Sequence, residues 1–469
     1  MQNELLDPLF PTESNWARPE YFFVMMALVF GLALVFVNAP YQAPDEGAHF
    51  WRAYHVSQGD LMTARSGNAV GGWIPKSVAN ARLQYEYLIG NPDLRVDMEV
   101  LRRDLEAPAE TQNRIFIDFF TPALYTPIVY APQAVGIALG RACGLSPLKM
   151  MYAGRISALV CWIAVLFAAI RMVPVLKWAF VLVALMPRSL FQAASLSADG
   201  PTNALAFLLT ALMLYAIFGK QLKLKPWTLI LIVVVSVLLS MCKQVYLPLV
   251  GMVILVPAGK CSGWRNKIIF CLIVCAAAVL ASGLWSMAIR DFYRPWKDAN
   301  APEQMALLMA RPWIFPVIAV KSFLASWGSL VFSMIGVLGF LDVWLPKWIY
   351  YSYPLLLIGA ALFDPAREQS FQWYKRGWIL LICLCSFFLF ELSMYLVWTR
   401  PGAPLVEGVH GRYFLPLVIP ALLALFYNRR LKVSKQNLWM LAVGLYTLCV
   451  LGASCWAVWA RYYGPTSGI

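Results

Sequence analysis

A compact group of ionisable residues follows the first long apolar run of the sequence. It comprises Asp45, Glu46, His49, Arg52 and His55. If this stretch is helical, the side chains lie within a few turns of one another beside a membrane-spanning segment. A carboxylate in such a position can take a proton from a substrate hydroxyl as a general base. We therefore expect the chemistry of this protein at residues 38–61.

The composition indicates a membrane protein with many spanning helices. Hydrophobic residues make up 61% of the 469 positions, charged residues make up 13%, and the mean hydropathy is +0.65. Soluble domains do not reach these values. Apolar runs of about 17 to 25 residues recur along the chain and match spanning helices, whereas barrel strands would alternate over about 10 residues. We expect an all-α polytopic membrane protein with about 12 or 13 transmembrane helices.

The net charge of +14 reflects membrane topology and not binding to nucleic acid. Residues 39–121 contain 8 Lys and Arg and 11 Asp and Glu, a balance of −3 that leaves +17 on the rest of the chain. The excess is concentrated in four short loops, at Lys220 to Lys225, Lys260 to Lys267, Arg367 to Arg376 and Arg429 to Lys435. Short basic loops mark the cytoplasmic side of a membrane, which places the long acidic loop outside.

The expected segments alternate between spans and loops. They are a cytoplasmic leader at 1–20, a first helix at 21–38, a periplasmic loop with the candidate chemistry at 39–121, a transmembrane core at 122–290, a second periplasmic loop at 291–312, helices at 313–398, a third periplasmic loop at 399–412 and C-terminal helices at 413–469. The first helix lacks a basic flank and a small-residue cleavage site, so we expect it to be retained. The second span is expected to begin near Thr121.

Local patterns divide the long loop and leave two regions ambiguous. Helices are expected at Glu46 to Gln58, lying at the membrane interface, at Ala79 to Leu88 and at Arg95 to Leu105, with breaks at Gly71-Gly72 and Asn91-Pro92. Residues 141–177 carry basic stretches at both ends of one span, and Trp313 to Phe340 is too long for one crossing and too short for two. We expect a short or re-entrant segment in each of these two regions.

Four ionisable residues interrupt apolar segments. They are Arg188, Asp199, Lys243 and Glu391. Each costs about 2.5–3.5 kcal/mol to insert at membrane depth, so such residues usually face a polar cavity. We expect all four to open towards one outward-facing cavity. The alternative is that they are snorkelling residues at helix ends or paired structural charges.

Several motifs, taken in order, resemble a known family. They are PDEGAHFWRAYHVSQGDL after the first span, TPALYTPIVYAPQA at the start of the second, and then SLSADG, KQVYLPL and GVHGRYFLPL. Together they look like the DUF2142 family of integral membrane proteins, which is in turn similar to the GT-C superfamily of glycosyltransferases. The resemblance spans nearly the whole chain. It implies a GT-C-like fold and a sugar donor carried on a polyprenyl phosphate.

The resemblance also implies roles for individual residues. Asp45 would be the base that takes the acceptor proton, with a plain helix N-cap as the alternative, and Glu46 would orient it or contact sugar hydroxyls. Arg412 would bind the donor phosphate through its planar guanidinium, assisted by Lys243 and Tyr246. The substrate-binding candidates are His49, Arg52, Asp199, Glu391 and His410. Among these, Arg52 could pair with Asp199 or Glu391.

The implied function is that of an inverting glycosyltransferase of a bacterial inner membrane. It would move a sugar from undecaprenyl-phosphate-sugar to a periplasmic glycan such as O-antigen or another envelope polymer, with a lipid-linked acceptor favoured. No metal cofactor is expected, although His49, His55 and His410 all lie in external loops and leave a divalent-metal site as an alternative. The rival functions are a lipid-linked oligosaccharide flippase, which would be expected to show internal repeats, and a polysaccharide polymerase.

Overall fold

The structure is a computed structural model that describes residues 18–363, 371–427 and 436–465. Most of these residues are helical, and several of the helices are long and apolar, which confirms an all-α polytopic membrane protein. The predicted leader at 1–20 and the predicted basic loops at 367–376 and 429–435 lie wholly or partly outside the described residues, as do parts of the predicted helical segments 313–398 and 413–469.

The α-helices of the described residues alternate with short 3₁₀ segments. They are α1 (Pro19–Val37), α2 (Glu46–Ser57), α3 (Lys76–Asn80), α4 (Met98–Glu106), α5 (Phe120–Ala123), α6 (Ala131–Ala142), α7 (Pro147–Met172), α8 (Lys177–Ala184), α9 (Pro187–Ala193), α10 (Asp199–Phe218), α11 (Pro226–Cys242), α12 (Trp264–Ile289), α13 (Ala301–Ala310), α14 (Ile314–Ile335), α15 (Lys347–Leu362), α16 (Trp373–Val397), α17 (Leu415–Leu425) and α18 (Gln436–Tyr462). The 3₁₀ segments of four or more residues are Leu83–Leu88, Pro127–Tyr130, Gln244–Leu255, Ala258–Cys261 and Gly411–Phe414.

Seven helices in the described ranges are long and apolar enough to cross a membrane. They are α1, α7, α10, α12, α14, α16 and the part of α18 from Leu441, and three shorter apolar helices occur at Pro226–Cys242, Gln244–Leu255 and Gly411–Leu425. The helix α10 is the central helix of the bundle, since 78% of the residues in its most apolar stretch are buried. By length and composition the described residues hold fewer spans than the roughly 12 or 13 expected, because several apolar runs fold as short or broken helices.

The helices α1 and α7 run antiparallel and define the two ends of the bundle. Phe36, near the end of α1, stacks on Tyr152, near the start of α7. Residues 39–121 follow α1 at this end, which we call the loop face. At the other end, Lys177 pairs with Glu20 at 3.9 Å. We call that end the basic face.

Other basic loops also lie at the basic face. The central helix α10 begins at the loop face and ends at Phe218, directly before the loop 219–225. Lys260 Nζ donates a hydrogen bond of 2.6 Å to Gly219 O, which brings the basic loop 260–267 beside it. Of the four basic loops noted in the sequence, the two that are wholly described therefore lie at one face.

The segment expected as the second span is a short arm that returns to the loop face. The helix α6 has 12 residues, which extend about 18 Å and are too few to cross a bilayer. It packs antiparallel to the first half of α7, where a Cβ at Gly136 would lie 2.2 Å from Ala153 O. Arg141 at its end donates to Ser57 O at the loop face. The expectation of a full span from Thr121 is therefore wrong, and the basic stretches at the two ends of 141–177 lie on opposite faces.

The helix α14 has both of its ends at the loop face. Its N-terminal end follows α13, where Gln304 Oε1 accepts a hydrogen bond from Gly402 N in the third loop. Its C-terminal end leads into the hairpin of β4 (Val337–Leu338) and β5 (Val343–Trp344). Asp342 in that hairpin pairs with Arg461 at the end of α18, and Arg461 Nη2 donates to Leu88 O. This placement explains why the run from Trp313 to Phe340 fits neither one crossing nor two.

A small antiparallel sheet lies over α2 at the loop face. Its strands are β1 (Ala64–Ser66), β2 (Ala69–Pro75) and β3 (Arg114–Asp118), with β2 in the centre. Gly71 and Gly72 do not form the predicted break but lie inside β2. A Cβ at Gly71 would lie 1.8 Å from Ile117 O, and one at Gly72 would meet the His55 ring at 2.3 Å. The glycines thus allow β2 to pack closely on β3 and α2.

The predicted helices of the long loop are present with altered bounds. The interfacial helix expected at Glu46 to Gln58 is α2, which begins and ends within one residue of the prediction. The helix expected at Ala79 to Leu88 is divided between α3 and the 3₁₀ segment Leu83–Leu88, and the one expected at Arg95 to Leu105 begins only at Met98. Asp97 caps this last helix, since its side chain accepts from Glu99 N and Val100 N.

Candidate functional site

Asp45 is an exposed carboxylate at the start of α2, and the residues directly before and after it are buried. Its backbone is left-handed, with φ 60° and ψ 11°. A residue other than glycine adopts this conformation at a cost of roughly 1–2 kcal/mol. Although Asp45 occupies the N-cap position, its side chain makes no capping hydrogen bond. The carboxylate is thus available to a ligand.

Glu46 is fully buried and anchors α2 to the spanning helices. Arg155 Nε and Nη2 donate to its two carboxylate oxygens at 2.8 and 2.5 Å. The backbone N–H groups of Leu196 and Ala43 donate to the same oxygens at 3.1 and 3.3 Å. Glu46 is therefore committed to structural contacts. The expectation that it orients Asp45 or contacts sugar hydroxyls is corrected by this geometry.

Asp199, at the start of α10, is the centre of a buried charged cluster. Lys243 Nζ donates to its Oδ1 at 2.5 Å, and Gln192 Nε2 donates to its Oδ2 at 2.8 Å. Arg412 Nε lies 3.4 Å from Oδ2. Asn203 Nδ2 in turn donates to Gln192 Oε1 at 3.3 Å. The start of α10, the end of α11 and the GRYF motif (Gly411–Phe414) are thus brought together.

Arg188 is the second guanidinium of this cluster. It lies in the first turn of α9, directly after the break between α8 and α9, and it is only 1% exposed. Its Nη1 donates to Val337 O at 2.7 Å, whereas Nε and Nη2 have no hydrogen-bond partner among the described residues. The guanidinium interacts electrostatically with both Arg412 and Asp199. Buried donors of this kind are rarely left unused, so these N–H groups are candidates to bind an anion.

Two residues expected at the donor phosphate have other contacts. The Lys243 ammonium is paired with Asp199 and lies 4.8 Å from the ring centre of Tyr413 and 5.9 Å from that of Tyr125. Tyr246 OH donates to Tyr413 O at 2.7 Å. Lys243 therefore supports Asp199, and Tyr246 fixes the GRYF motif. In contrast to Arg188 Nε and Nη2, the Lys243 ammonium and the Tyr246 hydroxyl each have a hydrogen-bond partner.

Two of the three histidines lie around the cluster in neutral form. His49 Nδ1 is 2.8 Å from Tyr130 OH, and burial lowers the pKa of His49 despite the nearby carboxylates of Asp45 and Asp199. Burial, reinforced by the positive charges of Arg412 and Arg188, lowers the pKa of His410 to about 4. Both rings are therefore uncharged at neutral pH and can donate or accept hydrogen bonds.

Arg52 and His55 lie away from the cluster. Arg52 Nη1 is 3.0 Å from His55 Nδ1, and its Nη2 donates to Leu61 O at 2.6 Å. Burial lowers the pKa of His55 to about 4, and the charge of Arg52 adds to this effect. Arg52 therefore stabilises the turn that follows α2, through hydrogen bonds to its backbone. The expectation that it pairs with Asp199 or Glu391 is wrong.

Glu391 is also separate from the cluster. It lies in α16, is 1% exposed, and has one carboxylate oxygen without a hydrogen-bond partner among the described residues. Within the described ranges no cation lies within ion-pair distance of it, in contrast to Asp199. The four buried charges noted in the sequence thus do not share one cavity. Three of them, Arg188, Asp199 and Lys243, converge, and Glu391 does not.

A small cavity adjoins Asp45 on the loop face. Its volume is about 130 Å³, and it is lined by Tyr41, Gln42, Asp45, Glu46, Gly47, Ala48, Arg82, Tyr85, Glu86, Ile89 and Phe340. Asp45 also interacts electrostatically with Arg412, His49 and His410. It is therefore placed between the charged cluster and a cavity with aromatic and polar walls.

In the described part of the chain, no group of three or more His, Cys, Asp or Glu side chains is arranged to hold a metal ion. Of the three histidines that offered the alternative of a metal site, His55 lies apart from the other two. His55 contacts Arg52 and lies 3.7 Å from Asp60, whereas His49 contacts Tyr130.

Sequence reasoning missed two residues that determine the site. Arg155 occurs as a single arginine inside the apolar run of α7, and its partner Glu46 is 109 positions away. Arg188 was noted as a buried charge but was not expected at the phosphate. In both cases the signal in the sequence was an arginine within an apolar helix.

The fold and site define a polytopic helical membrane protein with a buried cationic cluster beneath a long loop. The chain belongs to the DUF2142 family of predicted membrane proteins, whose family model matches residues 28–423. No curated protein and no solved structure matches the chain.

Proposed function

We propose that this protein is an inverting membrane glycosyltransferase. It moves a sugar from undecaprenyl-phosphate-sugar to a glycan acceptor at the loop face, such as O-antigen or a similar envelope polymer. The GT-C resemblance supports the donor class. The charge of the buried cluster is the observation that carries the proposal.

The cluster holds more positive than negative charge. Arg188, Lys243 and Arg412 surround one buried carboxylate, that of Asp199. Leaving a buried charge uncompensated costs several kcal/mol. Arg188 Nε and Nη2 are buried without hydrogen bonds in the described structure, whereas Arg412 Nε faces Asp199 Oδ2 at 3.4 Å. An anion with several acceptor oxygens would satisfy these groups. A phosphate meets this requirement, and paired guanidiniums are suited to bind it.

In this proposal Asp45 acts as the general base. The acceptor hydroxyl oxygen attacks the anomeric carbon on the face opposite the phosphate, and its proton passes to the Asp45 carboxylate. The bond from the anomeric carbon to the phosphate oxygen breaks, and its electron pair leaves with the polyprenyl phosphate. Arg412 and Arg188 stabilise that developing negative charge. Attack from the opposite face inverts the configuration at the anomeric carbon.

The cavity beside Asp45 supports an acceptor at that position. Tyr41, Tyr85 and Phe340 offer aromatic surface, and Arg82 and Glu86, which pair with each other at the rim, offer groups for sugar hydroxyls. An acceptor hydroxyl in this cavity would be close to Asp45, with the donor phosphate beyond it. A lipid-linked acceptor fits a site at this level of the bundle.

The charge of the loops supports a location in a bacterial inner membrane. The basic face carries Lys177 and the loops 219–225 and 260–267. Short basic loops remain in the cytoplasm. The loop face, with Asp45 and the cluster, would then face the periplasm.

Transfer from labelled undecaprenyl-phosphate-sugars by protein in lipid nanodiscs tests the proposal. We expect the wild type to transfer and Asp45→Asn to lose at least ~100-fold in rate, because the amide cannot accept the proton. Asp93→Asn, which changes another exposed carboxylate of the same segment, serves as control and should retain full rate. Full transfer by a folded Asp45→Asn variant would place the base elsewhere.

The same preparation separates the enzyme from a transporter. The glycosyltransferase proposal is wrong if the wild type transfers sugar from no donor but moves lipid-linked glycan across a sealed bilayer. The cluster would then bind a phosphate headgroup during transport.

A further inference from the structure

A second and larger cavity lies on the loop face, away from the charged cluster. Its volume is about 480 Å³, and it lies between α1, α4 and α7. The walls are formed by Phe36, Leu101, Leu105, Leu145, Lys149, Tyr152, Ala153, Ile156 and Tyr463. We call it the α4 groove. Nothing in the proposed transfer reaction uses it.

The α4 groove lies at the level where a bilayer meets water. Phe36 is the second-to-last residue of the spanning helix α1, and Tyr152 and Ile156 belong to the first three turns of the spanning helix α7. The groove is thus bounded by the ends of two spans. Its occupant must come from the outer part of the hydrocarbon layer or from the headgroup layer directly above it.

The walls of the α4 groove are apolar, and α4 covers them from the loop face. Leu101 and Leu105 of α4 line the groove, whereas Arg102 and Arg103 on the same helix are exposed. This is the pattern of an amphipathic helix that lies flat at a membrane interface. A hydrocarbon chain is the chemistry that such walls accept.

Among the described residues, Lys149 is the one charged residue that lines the α4 groove. It is exposed, and among the described residues no carboxylate lies within ion-pair distance of it. Residues 39–121 above it have a net charge of −3, although Arg102 and Arg103 of α4 are themselves exposed. An ammonium beside an apolar groove at the headgroup level complements a lipid that carries a phosphate.

We infer that the α4 groove binds a phospholipid of the surrounding bilayer, with one acyl chain in the groove and an anionic headgroup on Lys149. A bilayer phospholipid is favoured over a sugar-bearing lipid for a structural reason. Apart from Lys149, the lining residues that the structure describes offer only the hydroxyls of Tyr152 and Tyr463 as polar side-chain groups, and these are too few to recognise a saccharide. The site therefore selects by headgroup charge.

The bound lipid would stabilise the part of the molecule that carries Asp45. Tyr152 on the wall of the groove lies 5.6 Å, measured from its ring centre, from the guanidinium of Arg155. Arg155 holds Glu46, the neighbour of Asp45. The α4 groove is thus one side chain away from the ion pair that fixes the start of α2.

Native mass spectrometry of the full chain with added lipid tests the inference. We expect phosphatidylglycerol to be retained about fivefold more than phosphatidylcholine, since one lysine near a membrane surface gives about that preference. Lys149→Glu should abolish the preference, and Ala153→Phe, which fills the groove, should reduce retention of both lipids. Lys76→Glu, the same charge change at an exposed residue of the same face, should leave both unchanged. Thermal unfolding of each variant checks that it is folded.

Three results would overturn the inference. The first is an unchanged preference in Lys149→Glu, and the second is unchanged retention of both lipids in folded Ala153→Phe. The third is displacement of phosphatidylglycerol by undecaprenyl phosphate at much lower concentration, which would make the groove an isoprenoid site. None of these results depends on whether the protein transfers sugar.

Discussion

At the scale of single residues, Asp45 and Glu46 are adjacent but have opposite environments. The left-handed backbone at Asp45 turns the two carboxylates apart, so that one is exposed and the other is buried against Arg155. Position 45 is thus suited to proton transfer and position 46 to holding the helix. The two acids should respond differently to the same chemical change.

Glu46→Gln should chiefly lower stability. The amide keeps the volume of the side chain but leaves the Arg155 guanidinium without its counter-charge in a fully buried site. Breaking one partner of a buried ion pair costs about 3–5 kcal/mol. We expect a clear fall in the unfolding temperature in detergent.

The double variant Glu46→Leu with Arg155→Met is the matched control for that prediction. Removal of both charges leaves no unpaired ion, so part of the lost stability should return. If Glu46→Gln unfolds at the same temperature as the wild type, the ion pair does not anchor α2 as described here.

The sequence identified which residues could take part in chemistry, but not which role each of them has. Asp45, Asp199, Lys243 and Arg412 could be selected because each is an ionisable group beside or inside an apolar run. The choice between Asp45 and Glu46 depends on Arg155, and the choice between Lys243 and Arg188 depends on which of them Asp199 neutralises. Both depend on tertiary contacts that no local pattern records.

At the scale of elements, the GRYF motif positions Arg412 through a close approach to α14. Gly411 N donates to Ser333 Oγ at 2.9 Å, and a Cβ on Gly411 would lie 1.8 Å from Leu330 O. The contact requires a residue without a side chain. This close contact fixes the position of the guanidinium of the next residue, Arg412.

Gly411→Ala should therefore displace the GRYF motif. Relief of the clash moves the backbone away from α14, and overpacking of this kind costs about 1–3 kcal/mol. We expect a lower unfolding temperature together with weaker binding of polyprenyl phosphate. Gly452→Ala, where a Cβ would meet nothing within 4 Å, is the control and should change neither. Wild-type binding by Gly411→Ala would show that Arg412 does not depend on this contact.

The presence and bounds of a helix were easier to predict from the sequence than whether the helix crosses the membrane. The periodicity of α2 gave its bounds to within one residue because charged and aromatic residues alternate over a short interfacial segment. Hydropathy did not distinguish α14 from a helix that crosses the membrane, although both ends of α14 lie at one face. Only 17% of the residues in its most apolar stretch are buried, so its surface resembles that of a spanning helix. The path of such a helix is determined by its end contacts.

At the scale of the whole molecule, charge is distributed unequally between the two faces. The basic loops that are fully described lie at one end of the bundle, and the net acidic segment 39–121 lies at the other. This distribution was predictable from the sequence because it depends only on loop composition. It gives the proposed orientation a direct test.

Labelling with a membrane-impermeant maleimide should distinguish the two faces. In a variant without its ten native cysteines, Ser66→Cys at the loop face should react in intact bacterial spheroplasts. Lys223→Cys at the basic face should react only after the membrane is opened. The reverse pattern would contradict the periplasmic placement of Asp45.

The most direct test of the central claim is the binding of undecaprenyl phosphate to the buried cluster, measured by calorimetry in nanodiscs. We predict that Arg188→Gln weakens binding by at least tenfold, because two nitrogens of this guanidinium, Nε and Nη2, have no hydrogen-bond partner among the described residues and can donate to a phosphate. Lys149→Glu, outside the cluster, should bind as the wild type does. Undiminished binding by folded Arg188→Gln and Arg412→Gln variants would contradict a phosphate site at this cluster.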